Sequence, residues 1–191
     1  MNIGLFGGSF NPIHNGHVWL AKALLRETGL DEVWFMVSPQ NPLKQNRQLL
    51  DDNQRFRLVQ LALKDEPRLR PCDYEFHLPK PSYTWNTLQA LKKDYLEHRF
   101  TLLIGGDNWQ LFDQWYRHED IVSSYPIVVY PRQDADTETL KSAAPSVTFV
   151  KVPLINISST MVRERLRRGM SVRGLVPGPV ASVIEQEHLY G

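Results

Sequence analysis

Gly7-Gly8-Ser9-Phe10-Asn11-Pro12-Ile13-His14-Asn15-Gly16-His17 is the stretch on which the reading of the fold turns. A short apolar run, residues 3–6, leads into it and reads as a buried strand. Beyond it Val18, Ala21 and Leu25 fall at i, i+3 and i+7, which makes one face of a helix apolar. A strand that breaks into a glycine turn and enters a helix is a common phosphate-binding arrangement. Glycines let backbone and ligand approach closely, and the helix start offers unpaired N–H groups at the positive end of the dipole. The same turn carries two histidines three residues apart, placed to meet one anionic ligand at the mouth of the helix. Gly29 is expected to close the helix as its C-cap. Residues 32–38 are rich in β-branched and aromatic side chains and read as a second strand. Together these segments form a right-handed βαβ unit.

The alternation continues downstream. Residues 39–46 form a loop that carries Lys44. Asp51 or Asp52 caps a helix with Phe56, Val59 and Leu63 on one face. Residues 69–75 are compatible with a short strand. Residues 77–83 hold two prolines and read as irregular. A helix follows over 84–97, then a strand over 100–104 that runs into Gly105-Gly106-Asp107. Residues 108–115 are expected to make short helical turns, 126–130 a strand, 134–145 a polar loop with a little helix, and 147–152 a strand. Ser158-Ser159-Thr160 can cap a helix running to Arg168 and closed by Gly169. Val180, Val183 and Ile184 mark a last helix. The expected fold is therefore α/β, Rossmann-like and doubly wound, with a mostly parallel sheet and helices on both faces. Residues 1–191 are read as a single domain, with ligands at the carboxyl ends of the strands.

Composition narrows the class of function. Hydrophobic and charged contents of 42% and 23% are those of an ordinary globular chain. A net charge of +1 gives no global sign of nucleic-acid or membrane binding, so any anion site must be local. The one cysteine, Cys72, excludes an internal disulfide framework and fits a reducing compartment. The first residues lack the basic start and long apolar segment of a signal peptide, and no run approaches transmembrane length. The expectation is a cytoplasmic protein without membrane or nucleic-acid partners, either monomeric or a homo-oligomer.

Four constellations can carry chemistry. The first is the turn itself. Its spacing is neither that of a dinucleotide fingerprint nor that of a Walker A loop. His14 and His17 can bind an anion, bind a metal with further ligands, or merely cap the helix. Their place after two glycines, with Gly16 between them, favours the anion. The second is the helix start at Ser158-Ser159-Thr160 with Arg163 in the first turn. A cation there is electrostatically unfavourable unless an anion sits beside it, and a phosphate would satisfy hydroxyls, N–H groups and guanidinium together. The third is Gly105-Gly106-Asp107, where the carboxylate serves either a ribose or the next helix as N-cap. The fourth is Pro81-Ser82-Tyr83-Thr84-Trp85 with Trp109, Trp115 and Tyr116. Most such aromatics are core, but one or two beside a pocket can stack on a flat ring.

These residues carry a resemblance. The first stretch resembles the G-G-T/S-F-D/N-P-x-H-x-G-H signature of the nucleotidyltransferase superfamily with the H-x-G-H motif. Ile157-Ser158-Ser159-Thr160-Met161-Val162-Arg163 resembles its second signature, I-S-S-T-x-I/V-R. Within the superfamily the chain is similar to the bacterial nicotinate-nucleotide adenylyltransferases over nearly its whole length, through residues 39–44, 81–84, 105–107, Trp115-Tyr116 and 175–190. It departs from their pattern at Ser9 and Asn11, where Thr and Asp are frequent. It departs again at Asn41-Pro42-Leu43-Lys44, where the family often has a histidine before the lysine.

The resemblance implies transfer of AMP from ATP to nicotinate mononucleotide, with release of pyrophosphate and no covalent enzyme intermediate. It implies His14, His17, Lys44 and Arg163 as catalytic groups, with His17 nearest the α-phosphate. Gly7, Gly8, Ser9, Phe10, His17, Gly105, Asp107, Ser159, Thr160 and Arg163 would bind ATP. Lys44, Ser82, Tyr83, Thr84, Trp115 and Tyr116 would bind nicotinate mononucleotide. Mg²⁺ would ride on the ATP phosphates, with no protein ligands. Phosphopantetheine adenylyltransferases usually replace the first histidine of the motif. Cytidylyltransferases are not expected to carry Ser82-Tyr83-Thr84 or Trp115-Tyr116. A nicotinamide-preferring relative, a non-catalytic nucleotide sensor and a zinc protein using both histidines are the remaining alternatives.

Overall fold

The computed structural model describes residues 1–40, 48–133 and 144–191; Lys44 and most of the expected loop at 134–145 lie outside them. Six strands, β1 (Asn2–Gly8), β2 (Glu32–Val37), β3 (Leu69–Cys72), β4 (Arg99–Gly105), β5 (Ile127–Tyr130) and β6 (Val147–Phe149), form one sheet. Their order is β3-β2-β1-β4-β5-β6, and every pairing is parallel. This is the doubly wound arrangement, with its switch point between β1 and β4.

The sheet's faces are set by the alternation of side chains along each strand. Phe6, Val33, Phe35, Val37, Leu103 and Val128 point to one face. There they meet α1 (Asn15–Glu27), α2 (Asp52–Ala62), α6 (Ser159–Arg167) and α7 (Gly178–Glu187). Ile3, Leu5, Trp34, Met36, Leu102, Ile104, Ile127 and Val129 point to the other. That face is covered by α3 (Thr84–Asp94), by α5 (His118–Ser124), and by the short α4 (Gly106–Gln110) with the 3₁₀ turn Phe112–Gln114. Both faces of the central strands are thus buried, which is why those strands read as continuous apolar runs.

Three local expectations change. Gly29 does not close α1 in a left-handed conformation. The C-cap is Thr28, in an extended conformation, its N–H and its hydroxyl both donating to the carbonyl of Leu24 at 3.0 and 2.7 Å. Residues 74–77 form a 3₁₀ turn, and α5 has no counterpart in the sequence reading. The strand expected over 147–152 stops at Phe149. By contrast Asp51 caps α2, Ser158 caps α6, and Gly169 follows α6 at φ 67°, as read from the sequence. Among the described residues no helix is long and apolar enough to cross a membrane.

Candidate functional site

The signature turn leaves the carboxyl end of β1 at the switch point. Phe10 adopts a left-handed φ of 46° and is buried, its ring against Phe6, Phe35 and His17. It therefore anchors the turn to the core and presents no side chain to a ligand. The Asn11-Pro12 peptide is cis. At the start of α1 the N–H of His14 donates to Nδ1 of His17 at 3.1 Å. A backbone N–H can only donate, so Nδ1 is unprotonated and the His17 proton sits on Nε2. The two imidazoles stack with centroids 3.6 Å apart. A Cβ on Gly16 would come within 2.8 Å of the His14 ring, so only glycine admits this stack.

Burial holds both histidines neutral. It lowers the pKa of His14 to about 4, with the charge of Arg132 adding to the effect. Burial, His14 and Arg132 together push His17 well below its ordinary value. Capping does not use up the ring: Nδ1 of His17 accepts at the helix start while its Nε2–H remains a neutral donor.

The second signature packs directly on the first. Ser159 Oγ donates to the carbonyl of Pro12 at 2.9 Å, and Arg163 Nη1 donates to the carbonyl of Asn11 at 2.8 Å. Arg163 Nη2 donates to Thr160 Oγ1 at 3.2 Å. The cation at this helix start is therefore held in part by the Asn11 carbonyl, and two residues expected to hold phosphate also lock the turn. Ser158 and Met161 border a cavity of about 310 Å³ with His14, His17, Asp107 and Arg132. The wall formed by residues 153–157 is largely apolar. At the end of β4 a Cβ on Gly105 would lie 2.6 Å from Asp107 Oδ1 and 2.8 Å from Arg132 Cγ. That glycine lets carboxylate and guanidinium close to 3.7 Å. Asp107 is not the N-cap of α4, a place taken by Gly105.

A second cavity, of about 460 Å³, lies on the other side of the β1 end. Gly7 and Gly8 border this cavity rather than the first, with Ser82, Tyr83, Thr84 and Trp115 opposite them. A Cβ on Gly7 would meet nothing within 4 Å, so the missing side chain keeps this space open. Helix α3 begins here at Thr84 with no side-chain cap and no acid in its first turn, a ready anion seat. Trp115 is braced by Phe112 at 5.2 Å, and the half-exposed rings of Tyr83 and Tyr116 touch at 4.9 Å. Asp107 and Asn108, and likewise Pro131 and Tyr130, are consecutive residues that line one cavity each, so the two cavities share a wall.

Buried polar atoms with no hydrogen-bond partner among the described residues are rare in a folded chain. Of four such atoms among the described residues, His14 Nδ1, Arg163 Nε and Ser82 Oγ belong to residues of this region, and His98 Nδ1 lies away from it. Among the described residues no group of three or more His, Cys, Asp or Glu could hold a metal ion.

Three further residues escaped the sequence reading. Arg132 was signalled only by a cation two residues past the end of β5. Lys80 and Glu75 line the second cavity. Burial raises the Glu75 carboxyl to about 7, against hydrogen bonds from Thr87 and Ser38 that lower it; Thr87 Oγ1 donates at 2.9 Å. Nothing in Tyr74-Glu75-Phe76 distinguishes this acid from a surface one.

Comparison with known proteins agrees with this geometry. A family model described as cytidylyltransferase-like matches residues 5–165. The chain is 48% identical over 184 residues to a protein of Bacteroides fragilis named "Probable nicotinate-nucleotide adenylyltransferase", covering 96% of this chain and 91% of that one. It is 44% identical to a protein of the same name from Cytophaga hutchinsonii, covering 100% and 98%. Among solved structures, the Plasmodium falciparum nicotinic acid mononucleotide adenylyltransferase complexed with NaAD superposes with a TM-score of 0.83. It is 19% identical, with 99% of this chain and 97% of that chain covered, and shares the fold.

Proposed function

This chain belongs to the cytidylyltransferase-like family, and from that premise we propose that it is a nicotinate-nucleotide adenylyltransferase acting in NAD biosynthesis. It transfers AMP from ATP to nicotinate mononucleotide and yields nicotinate adenine dinucleotide and pyrophosphate. The relatives carrying that name cover nearly the whole chain. The observation that carries the reading is the pair of cavities sharing a wall at the switch point, one beside neutral histidine donors, the other beside an uncapped helix start and an aromatic ring.

ATP lies in the first cavity, its adenosine against the apolar wall of residues 153–157 and its ribose at Asp107. Its phosphates meet His14, His17 and Arg132, with Ser159, Thr160 and Arg163 at the start of α6. Nicotinate mononucleotide lies in the second cavity. Its pyridine ring stacks on Trp115, and its carboxylate is held at Thr84 and the backbone N–H of Tyr116, beside Ser82 and Tyr83. Gly7 and Gly8 leave room for the phosphates between the two.

An oxygen of the acceptor's 5′-phosphate attacks the α-phosphorus in line. The new P–O bond forms as the bond to the β-phosphate oxygen breaks, and pyrophosphate leaves with that electron pair. The attacking phosphate is already anionic near neutral pH, so no protein base is required and catalysis reduces to positioning and charge stabilisation. The neutral Nε2–H of His17 suits this role: it needs no counter-ion while the site is empty, and its hydrogen bond strengthens as charge builds on the α-phosphate. Mg²⁺ carried on the ATP phosphates would neutralise part of their charge, with no protein ligand assigned to it. Lys44, a catalytic group in the sequence reading, lies outside the described residues. The whole chain acts as one nucleotidyltransferase domain in the cytoplasm.

The test is pyrophosphate release from ATP with a panel of acceptors: nicotinate mononucleotide, nicotinamide mononucleotide and phosphopantetheine. Nicotinate mononucleotide is expected to give the highest kcat/KM. A preference for the amide would overturn the acceptor assignment, and release with none of them would overturn the enzymatic reading.

A further inference from the structure

Asn11 sits inside the signature turn, is 4% exposed, and makes an unusual number of long-range contacts. Its Oδ1 accepts the hydroxyl of Tyr190 at 2.7 Å and the N–H of Leu50 at 3.2 Å. Its Nδ2 donates to the carbonyl of Gln48 at 3.0 Å, and its own carbonyl accepts from Arg163. The N–H of Leu50 can only donate, which orients the Asn11 amide and obliges Tyr190 to donate as well.

Tyr190 reaches this point from beyond α7. The chain turns back there through two residues in the left-handed region, His188 at φ 52° and Tyr190 at φ 65°. Such conformations cost free energy for non-glycine residues and persist where the surroundings dictate them. Burial raises the pKa of the phenol while the charges of Arg55 and Arg163 oppose the rise, so the hydroxyl lies among the groups that hold the turn. Arg55 is fully buried and holds the neighbouring backbone. It donates to the carbonyls of Ser9 at 2.7 Å, Ser38 at 2.9 Å and Leu50 at 2.9 Å. If Tyr190 were present for packing alone, its ring would suffice. Its hydroxyl instead contacts a side chain of the turn that bears His14 and His17.

We propose that Tyr190 is a positioning residue for adenylyl transfer: through Asn11 it sets the turn that presents His14 and His17, together with residues 48–50 beside it. The proposal rests on the function assigned above. Loss of the hydroxyl leaves Asn11 with one fewer restraint, and small displacements of catalytic groups are enough to slow a reaction that depends on alignment.

The experiment compares the whole wild-type chain with Tyr190→Phe, Asn11→Ala and the double variant, using hydrogen exchange and steady-state kinetics. In Tyr190→Phe, amide exchange at residues 13–17 and 48–50 is expected to quicken severalfold while that of β1 and β4 is unchanged. Its kcat is expected to fall about tenfold, with KM for ATP and for nicotinate mononucleotide within about twofold of wild type. The double variant should turn over no more slowly than Asn11→Ala, since the two residues act through one contact. A wild-type kcat in Tyr190→Phe overturns the proposal, as does a fall in kcat that is additive with Asn11→Ala, a rise in KM without loss of kcat, or unaltered exchange at both segments. If the wild-type chain releases no pyrophosphate, the assigned function fails, and the exchange measurement decides by itself whether Tyr190 sets the turn.

Discussion

The two cavities that meet at the end of β1 are built in opposite ways. The first is bordered by His14, His17 and Ser158 from two short signatures that hydrogen-bond to each other, Ser159 and Arg163 holding the carbonyls of Pro12 and Asn11, and by Asp107, Arg132, Gln133 and Asn156 from outside them. Its titratable groups beside the turn are histidines kept neutral and an arginine. The second is assembled from the ends of β1 and β2, the 3₁₀ turn at 74–77, the entry to α3 and the aromatic segment before α5. It contains a buried carboxyl held near neutrality. The contrast is one of reach: two signatures that bond to each other hold the turn beside the first cavity, whereas the second joins segments from across the chain.

Substitutions can break that contrast in graded fashion. The largest effect is expected on the first side. His17→Ala removes a preorganised donor and is expected to lower kcat by ~10²–10³, with the circular dichroism spectrum and the KM for nicotinate mononucleotide preserved. Retained turnover in that variant would end the catalytic assignment of His17.

Next comes the pH response, in which the two sides have opposite signs. The folded pKa of Glu75, about 7, lies above its unfolded value of 4.5. Between those pH values the folded chain keeps a proton that the unfolded chain has lost, so stability falls as pH rises through this window. The folded pKa of His14, about 4, lies below 6.5. There the unfolded chain binds the proton first, so stability falls as pH drops through that window. Glu75→Gln cannot ionise and should abolish the first slope. Relative to wild type it should gain up to about 3 kcal/mol between pH 5 and pH 8, read as Tm or urea midpoint. Equal Tm differences at both pH values would refute the buried-acid account. A proton NMR titration of His14 is expected to show no protonation down to pH 5.

The smallest effect is expected on the acceptor side. Trp115→Ala should raise the KM for nicotinate mononucleotide about tenfold, as loss of one stacked ring is worth ~0.5–1.5 kcal/mol, and leave the KM for ATP near wild type. An equal rise in both would mean that the cavities do not divide the substrates as assigned.

Strand-turn-helix order, the cap at Ser158, the left-handed Gly169 and the pairing of His14 with His17 were legible because each is decided within a few residues. A helix start places i and i+3 on one face, and a cap closes on amides two or three residues away. The sheet could be read as mostly parallel from apolar runs alternating with helices, and the structure makes every described pairing parallel. Helix α5 was missed because His118–Ser124 is short and polar, and its one buried residue, Ile121, offers no periodicity to read. Glu75 was missed because its importance lies in burial, which no neighbour in sequence announces.

The amino-acid sequence alone thus determined the glycine turn with its two histidines, the second helix start and the α/β class, since these follow from backbone conformation and local hydrogen bonding. Only the tertiary structure decided that the ring of Phe10 plugs the turn into the core, that Arg132 charges the histidine cavity, and that Ser159 and Arg163 lock the turn they face. It alone joined Tyr190 to Asn11 across 179 positions of sequence. That contact arises where the segment after α7 packs on the same sheet face as the signature turn, and no local pattern of residues encodes which distant side chain will fill the space.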